Sequence, residues 1–395
     1  MGKAENPFTS LNEIWANRDV LHEDYTPTEI LERESERDKL AAHLAPVANG
    51  NRPNNIFLYG KTGVGKTVVT EYMLGKLDEF KDPTVDLSVV TLNCQNCSSS
   101  YQVAVALVNE LHDETDQISP TGYPAETVYQ YLYDELDQLG GTVLVVLDEI
   151  DAIGDDDGLL YELPRARSKG DVENVKLGVI GISNDLEFKK NLSSKVKSTL
   201  CEKELVFTPY DATELQTIVM DRAESAFLDD VVQDGVIEHV AAIAAKNSGD
   251  ARQAIRLLRE AGDLAKQSES GAVVTDDIVE AAKEELEASR IERAVDDLPL
   301  QTKLATLTLA FRTEASSGPI RTAALHDTYC QIARENGVER RSHDAFRDQL
   351  DDLDMLGIAL RHRHNEGRGG GIYYTWESDI AYGVVRDVLD ELNTP

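Results

Sequence analysis

The stretch Ile56-Phe57-Leu58-Tyr59-Gly60-Lys61-Thr62-Gly63-Val64-Gly65-Lys66-Thr67 constrains the fold more than any other. An apolar run runs into a glycine-rich turn, and the turn runs into the helical pattern Val68-Val69-Thr70-Glu71-Tyr72-Met73-Leu74. That order, buried parallel strand then loop then helix start, is what a P-loop requires. Glycines at 60, 63 and 65 allow successive backbone N–H groups to turn inward on phosphates without a Cβ in the way. The expected cradle for ATP or ADP runs through Gly60, Lys61, Thr62, Gly63, Val64, Gly65, Lys66, Thr67 and Val68, at the positive end of the helix dipole. Lys66 stands where an ammonium reaches the β- and γ-phosphates, and Thr67 where a hydroxyl can ligate Mg²⁺. A glycine turn that merely spells the pattern would lack these flanks.

Downstream, Thr142-Val143-Leu144-Val145-Val146-Leu147-Asp148-Glu149-Ile150-Asp151 reads as a buried strand ending in carboxylates. After a P-loop this is the pattern of a Walker B element. Asp148 would hold Mg²⁺ through water, and Glu149 would polarise the attacking water. The next apolar strand, Val175 to Ser183, ends at Asn184. A parallel sheet delivers all its strand ends to one crevice, so Asn184 is placed to touch the γ-phosphate or the attacking water. Leu87 to Asn93 is a further strand, and helical stretches are expected at Tyr101 to His112 and Ala125 to Leu139.

The chain has 395 residues, room for two or three domains. It shows neither a charged-then-apolar leader nor an apolar run long enough to span a bilayer, so a cytoplasmic protein without a membrane partner is expected. Four scattered cysteines do not form a disulfide framework. Cys94-Gln95-Asn96-Cys97 has a zinc-knuckle spacing but no second pair nearby, and ordinary strand-end cysteines are expected. The net charge of −33 is extreme for a chain that is 41% hydrophobic. Screening in a high-salt cytoplasm is one explanation, and a partner of high positive charge is the other.

The succession of P-loop, Asp148-Glu149, Asn184, Phe207-Thr208-Pro209-Tyr210 and Gly249-Asp250-Ala251-Arg252 resembles the archaeal origin-recognition initiators, AAA+ ATPases of the Orc/Cdc type. The likeness runs from about Tyr25 to the C-terminus. It implies an α/β P-loop AAA+ domain with a parallel sheet at 25–208, a helical lid at 209–290 and a C-terminal winged helix at 298–395; residues 1–24, polar and mixed, read as an N-terminal arm to which no structure is assigned. It also implies that Arg252 reaches the nucleotide phosphates, that Tyr210 and Arg222 approach from the lid, and that Arg33 sits near the base. A guanidinium is chemically apt there, because Lys66, Mg²⁺ and Arg252 together would neutralise the charge of a transferred phosphoryl group. The catalytic set is then Lys66, Asp148, Glu149, Asn184 and Arg252. One departure stands out: where the family commonly carries an arginine, this chain has Lys195, which offers a point charge without a planar fork. Slow turnover, or a switch that fires once, is the expectation.

Helical spacing continues from about Tyr210 to Arg290, with Val236, Val240 and Ile243 on one stripe, and the charged stretch Glu284 to Asp297 is expected to link to the last domain. Beyond it, three helices (from about Leu300, Arg321 and Ser342) precede two strand-like runs flanking Glu366-Gly367-Arg368-Gly369-Gly370-Gly371, the pattern of a winged helix. Arg340, Arg341, His343 and Arg347 gather near the third helix start, and Arg361, Arg363 and Arg368 in the wing. Such clusters contact phosphates even on an acidic protein, although Asp348, Asp351, Asp352 and Asp354 burden the same helix. The loop at 115–125, which by resemblance would be a second DNA contact, has no Lys or Arg.

The reading that results is an ATP-dependent replication initiator that binds origin duplex, helps load the replicative helicase and acts with itself or paralogues on DNA. Two rivals remain open: a winged-helix regulator that uses ATP as a structural ligand, and a signalling ATPase whose last domain binds protein. The charge reading yields a direct expectation. Dialysis from molar salt into dilute buffer, followed by near-UV circular dichroism, should show loss of tertiary structure; a fold intact in dilute buffer overturns the high-salt explanation.

Overall fold

The computed structural model describes residues 14–23, 25–113, 115–200, 203–268, 273–316, 318–365, 372–378, 380 and 385–386. Two compact units, 1–279 and 280–395, divide the chain.

The first unit is built on five parallel strands: β1 (Ile56–Tyr59), β2 (Leu87–Asn93), β3 (Thr142–Asp148), β4 (Lys176–Ser183) and β5 (Lys203–Val206), in the order β2-β3-β4-β1-β5. An all-parallel sheet needs both faces covered, and β3 is accordingly buried at every position. Its side chains alternate between two cores. Val143, Val145 and Leu147 join the layer of α3 (Ser100–Leu111) and α4 (Ala125–Leu139), and Leu144 and Val146 join the layer of α1 (Glu34–Ala48) and α2 (Lys66–Phe80). Tyr59 pairs with Ser183 and Asn93 with Asp148, so strand ends and the residues after them share one rim. β5 is a strand that apolar runs did not signal. It is a four-residue edge strand with alternating exposure, and its Leu205 is buried.

Four short helices, α5 (Gly158–Glu162), α6 (Ala166–Lys169), α7 (Phe188–Asn191) and α8 (Ser194–Lys197), fill the connections around β4. Three longer ones then form the lid: α9 (Ala212–Ala226), α10 (Val236–Asn247) and α11 (Ala251–Gln267). α9 begins with a capping box between Asp211 and Glu214, and α11 with the Asp250 carboxylate accepting the N–H groups of Arg252 and Gln253. Part of the N-terminal arm, to which the sequence assigned no structure, is ordered against the lid. Residues 14–23 hold a 3-10 turn (Arg18–Leu21), Ile14 is fully buried, and Trp15 makes an antiparallel bridge to Phe227 at the end of α9. The rest of that arm lies outside the described residues, except for what begins again at Tyr25.

α12 (Asp276–Asp296) covers most of the charged stretch expected to link the domains, so that stretch is helical. The second unit contains α13 (Leu300–Glu314), β6 (Ile320–Arg321), α14 (Thr322–Glu335), α15 (His343–Met355), β7 (Ala359–Asn365) and β8 (Ile372–Ser378). Its antiparallel sheet has the order β6-β8-β7. β6 is only two residues long, too short for any alternation to reveal it. The core gathers Trp376, Tyr329 and Phe346, all essentially inaccessible, with Leu325, Leu350 and Leu353. Each polar ring atom is satisfied: Trp376 Nε1 donates to Thr322 Oγ1 at 2.9 Å, and the Tyr329 hydroxyl donates to Gln301 Oε1. Phe346→Ala should therefore destabilise this unit by about 3–5 kcal/mol, read from its denaturant midpoint.

Candidate functional site

The rim of the parallel sheet carries a cavity lined on one side by Gly63, Gly65, Lys66, Thr67, Val68, Glu149 and Asn184, and on the other by residues from the lid and from the chain preceding α1. Its chemistry starts with Lys66. The side chain is almost wholly buried, and its ammonium donates to Gly60 O at 2.8 Å, Lys61 O at 2.7 Å and Asn184 Oδ1 at 2.8 Å. Burial pushes its pKa down to about 8 and Arg252 nearby pushes the same way, while Asp148, Asp151 and Glu149 oppose. A desolvated ammonium of this kind gains from a phosphate oxygen what the carbonyls supply here.

Thr67 Oγ1 donates to Asp148 Oδ2 at 2.8 Å, which joins the P-loop helix to the end of β3 through the two side chains expected to hold Mg²⁺. Asp148 also accepts the Glu149 N–H at 2.9 Å. Glu149 has a left-handed backbone (φ 54°), an unfavourable conformation for a glutamate, and its side chain thereby joins the cavity lining. Asn184 is fixed by its own N–H, which donates to Asp151 Oδ1 at 2.9 Å. Gly63 and Gly65 are left-handed as well, at φ 70° and 91°. A Cβ on Gly65 would lie 2.7 Å from the Tyr210 hydroxyl, so the aromatic ring rests on the loop. The backbone cradle, the buried ammonium and the hydroxyl-carboxylate pair fit a nucleotide with Mg²⁺; the apolar wall of Leu21, Tyr25, Ile30, Ile218 and Ile255 fits its base.

The lid reaches the loop directly. The Ala251 N–H, first in α11, donates to Gly63 O at 3.1 Å, and the Asp250 carboxylate lies against Gly63. Arg252, Arg222 and Tyr210 all line the cavity. Arg222 is nonetheless engaged, donating to Val20 O at 3.3 Å with its guanidinium 4.5 Å from the Tyr25 ring centroid. Arg33 departs from expectation. It is 2% exposed and lies behind the wall, donating to Val64 O at 3.1 Å and Thr208 O at 2.6 Å with its guanidinium 3.6 Å from the Tyr210 ring centroid. Its part is to brace the loop against Tyr210, since it is absent from the lining. Lys195 is exposed on α8 and does not line this cavity.

Cys94 and Cys97 are buried thiols, and burial raises both pKa values; no group of metal-ligating side chains surrounds them among the described residues. No helix there is long and apolar enough to cross a membrane.

In the second unit, the cations expected at DNA fall into two classes. Arg361 is paired to Asp351 at 2.5 Å and Asp354 at 3.4 Å, and Arg347 lies 3.4 Å from Asp348 and 3.9 Å from Asp344, as His343 does from Asp344. The aspartates of α15 thus neutralise arginines that the sequence reading left free. Arg340, Arg341 and Arg363 are exposed and have no ion-pair partner among the described residues. Arg368 lies outside the described residues. The 115–125 loop is pinned by Asn109, which accepts from the Ile118 N–H at 2.7 Å and donates to its carbonyl at 3.1 Å.

Three family models match consecutive parts of the chain: an AAA domain at 50–187, a Cdc6 AAA+ ATPase-type lid domain at 216–284 and a CDC6 C-terminal winged helix domain at 293–388. ORC1-type DNA replication protein 10 of Halobacterium salinarum is 46% identical over 98% of this chain and 94% of its own. The chain belongs to the ORC1-type DNA replication proteins. ORC1-type DNA replication protein 11 of Haloarcula marismortui is 47% identical over 94% of this chain and 90% of its own. Among solved structures, the Aeropyrum pernix Orc1 protein in complex with DNA superposes with a TM-score of 0.80 at 34% identity, covering 96% of this chain and 97% of that one. This ORC1-type chain therefore has the AAA+, lid and winged-helix organisation that its motifs implied.

Sequence reasoning missed Leu21, His22 and Glu23, which line the cavity from the segment read as an arm, and Asp250, which touches the loop itself. The Asp-Ala-Arg stretch was a signal for Asp250, since a helix N-cap next to a P-loop has to meet it. A Cβ at position 63 would lie 1.7 Å from Asp250 Oδ1. Gly63→Ala should displace the α11 N-terminus and weaken ADP binding by about tenfold or more in a titration calorimeter. Gly122→Ala, also at a left-handed position (φ 105°) but in open space, should leave ADP binding unchanged.

Proposed function

We propose that this protein is an ATP-dependent initiator of DNA replication that binds origin duplex and helps load the replicative helicase. The observation that carries the reading is its membership of the ORC1-type proteins over nearly the whole chain, together with a cavity chemically fitted to a nucleotide. The solved Aeropyrum pernix relative is in complex with DNA.

In the proposed mechanism the P-loop amides, Lys66 and Arg252 hold the phosphates, and the apolar wall holds the base. Thr67 and Asp148 are the residues that would hold Mg²⁺, which supplies charge neutralisation at the phosphates. Glu149 and Asn184 face the same space, Glu149 to orient and deprotonate a water and Asn184 to fix it. Lys195 would supply charge in trans to a neighbouring copy without the fork of an arginine, which suits slow hydrolysis used as a switch. The site of action is the cytoplasm, where the DNA lies. The partners are origin duplex, the helicase, and further copies or paralogues.

For DNA, Arg340, Arg341 and Arg363 are the phosphate-contacting candidates the geometry favours, with Arg368 from the wing tip and the paired Arg347, Arg361 and His343 as secondary ones. Duplex binding at high salt, with origin and scrambled sequences and with ATP or ADP, tests this. Arg340→Ala/Arg341→Ala should weaken binding to both duplexes alike and reduce the slope of log affinity against log salt by about two. Arg361→Ala should have the smaller effect, since an internal pair must first be given up. Duplex binding without any preference for origin sequence, whatever the nucleotide, favours the protein-binding ATPase instead.

A further inference from the structure

Glycine is among the poorest residues for a helix interior, yet Gly262 sits well inside α11. The structure gives the reason. A Cβ at 262 would lie 2.2 Å from Trp15 Cη2, 2.7 Å from Trp15 Cζ2 and 2.9 Å from Phe227 Cε1. The Trp15 ring is seated in a notch that only glycine leaves open, with the Phe227 ring centroid 4.5 Å away. Around it the backbone of residues 14–17 is laced to the end of α9: Leu228 N–H donates to Ile14 O at 2.9 Å, and the N–H groups of Ala16 and Asn17 both donate to Ala226 O, at 2.8 and 3.1 Å. One turn on, Arg18 grips the residue beside the notch, donating from Nε to Asp263 Oδ1 at 3.0 Å and from its terminal nitrogen to Asp263 Oδ2 at 2.5 Å.

This segment does not stop at the lid. Val20 O holds the Arg222 guanidinium, Arg18 reaches His22 Nε2 at 3.1 Å, and Leu21, His22 and Glu23 line the nucleotide cavity beside Tyr25. We infer that residues 14–23 are a strap that completes the nucleotide site, and that Trp15, Arg18 and Gly262 are positioning residues for nucleotide binding although none of them lines the cavity. The inference rests on the nucleotide reading of that cavity. Helix α11 then serves both ends of the ligand. Arg252 and the Ala251 N–H stand at the phosphate loop, and the notch at Gly262 anchors the strap ten residues on, about 15 Å along the axis. Strap seating and lid position are consequently coupled through one rigid element, so a nucleotide that contacts both should hold both.

The decisive variant is Gly262→Ala, which raises intrinsic helix propensity while filling the notch. The far end of the Trp15 ring is what must move. With a fluorescent ADP analogue as probe, Gly262→Ala and Trp15→Ala should each weaken affinity by about tenfold or more. The double variant should be no weaker than either alone, because both remove the same contact. Nucleotide-free Gly262→Ala should keep a single cooperative unfolding transition and the far-UV circular dichroism of the wild type, a result that a globally unfolded protein would not give. Trp15→Phe should recover part of the affinity. Trp15 also offers its own signal: the chain has two tryptophans, and Trp376 is fully buried in the second unit. Emission should therefore shift toward that of an exposed indole in Gly262→Ala. Arg18→Ala, at a partly exposed side chain, repeats the affinity test without touching the helix. Wild-type affinity in Gly262→Ala and Arg18→Ala overturns the strap while leaving the nucleotide site standing. A wild-type protein that binds no nucleotide overturns both.

Discussion

A buried ammonium is the constraint on which the first unit depends. Lys66 is 4% exposed, and an unpaired cation at that depth would be driven to its neutral form or out to water. Three acceptors prevent this, and they come from two places in the chain: the carbonyls of Gly60 and Lys61 after β1, and the Asn184 side chain after β4. They converge because β1 and β4 are adjacent and in register, with Tyr59 beside Ser183. A one-residue slip would turn Ile56 and Leu58 from one core to the other and draw Asn184 away from the ammonium. The hydrophobic pattern of the strands and the electrostatics of the loop therefore specify the same register, and the site is rigid for the same reason that the sheet is.

The lid is placed by contacts of a different kind. Asp250 caps α11 and rests on Gly63, so the carboxylate that ends the helix also fixes its distance from the loop. Burial raises the Asp250 pKa while the Arg252 and Gln253 N–H groups and Arg252 itself hold it down, which leaves a carboxylate poised against a loop built for anions. The contacts that Asp250 and the Ala251 N–H make between lid and loop are short-range and polar. Contacts of that sort can be exchanged for contacts to a ligand at small net cost, which is what a switch needs.

How far the sequence disclosed this depends on the range of the interaction. Motifs whose geometry is local were legible: the P-loop and the strand ending in Asp148-Glu149 each carry their structural meaning within about ten residues. Long apolar strands and capped helices were legible too, because burial on both faces leaves a continuous apolar run. β5 and β6 were not, since an edge strand of four residues and a strand of two carry too little pattern. The strap was illegible for another reason. Polar residues around Trp15 look like a tail, and what orders them is a notch in a helix some 250 residues away in sequence. The expectation that Arg33 sits near the base came from the family resemblance rather than from its own surroundings in the sequence. Its actual partners include the Val64 carbonyl 31 residues on and the Thr208 carbonyl and Tyr210 ring more than 170 residues on, which no local pattern reveals.

Charge poses a final problem, because the fold and its proposed partner respond to salt in opposite senses. With a net charge of −33 the chain repels itself and gains from screening, whereas contacts to phosphate are weakened as salt rises. In the proposed DNA-binding role, the second unit would reconcile the two by offering few free cations. Of the cations expected at DNA, α15 neutralises Arg361 and Arg347 with its own aspartates, which leaves Arg340, Arg341 and Arg363 without an ion pair among the described residues. Affinity falls with salt roughly as the power 0.9 per neutralised phosphate, so three contacts lose about 500-fold over a tenfold rise in salt, and ten would lose about a billionfold. An interface with few phosphate contacts retains far more of its affinity in concentrated salt. Its selectivity must then come from base edges and duplex shape, which are far less sensitive to salt. On the proposed DNA-binding role, the α15 aspartates that pair Arg347 and Arg361 would keep the salt slope shallow.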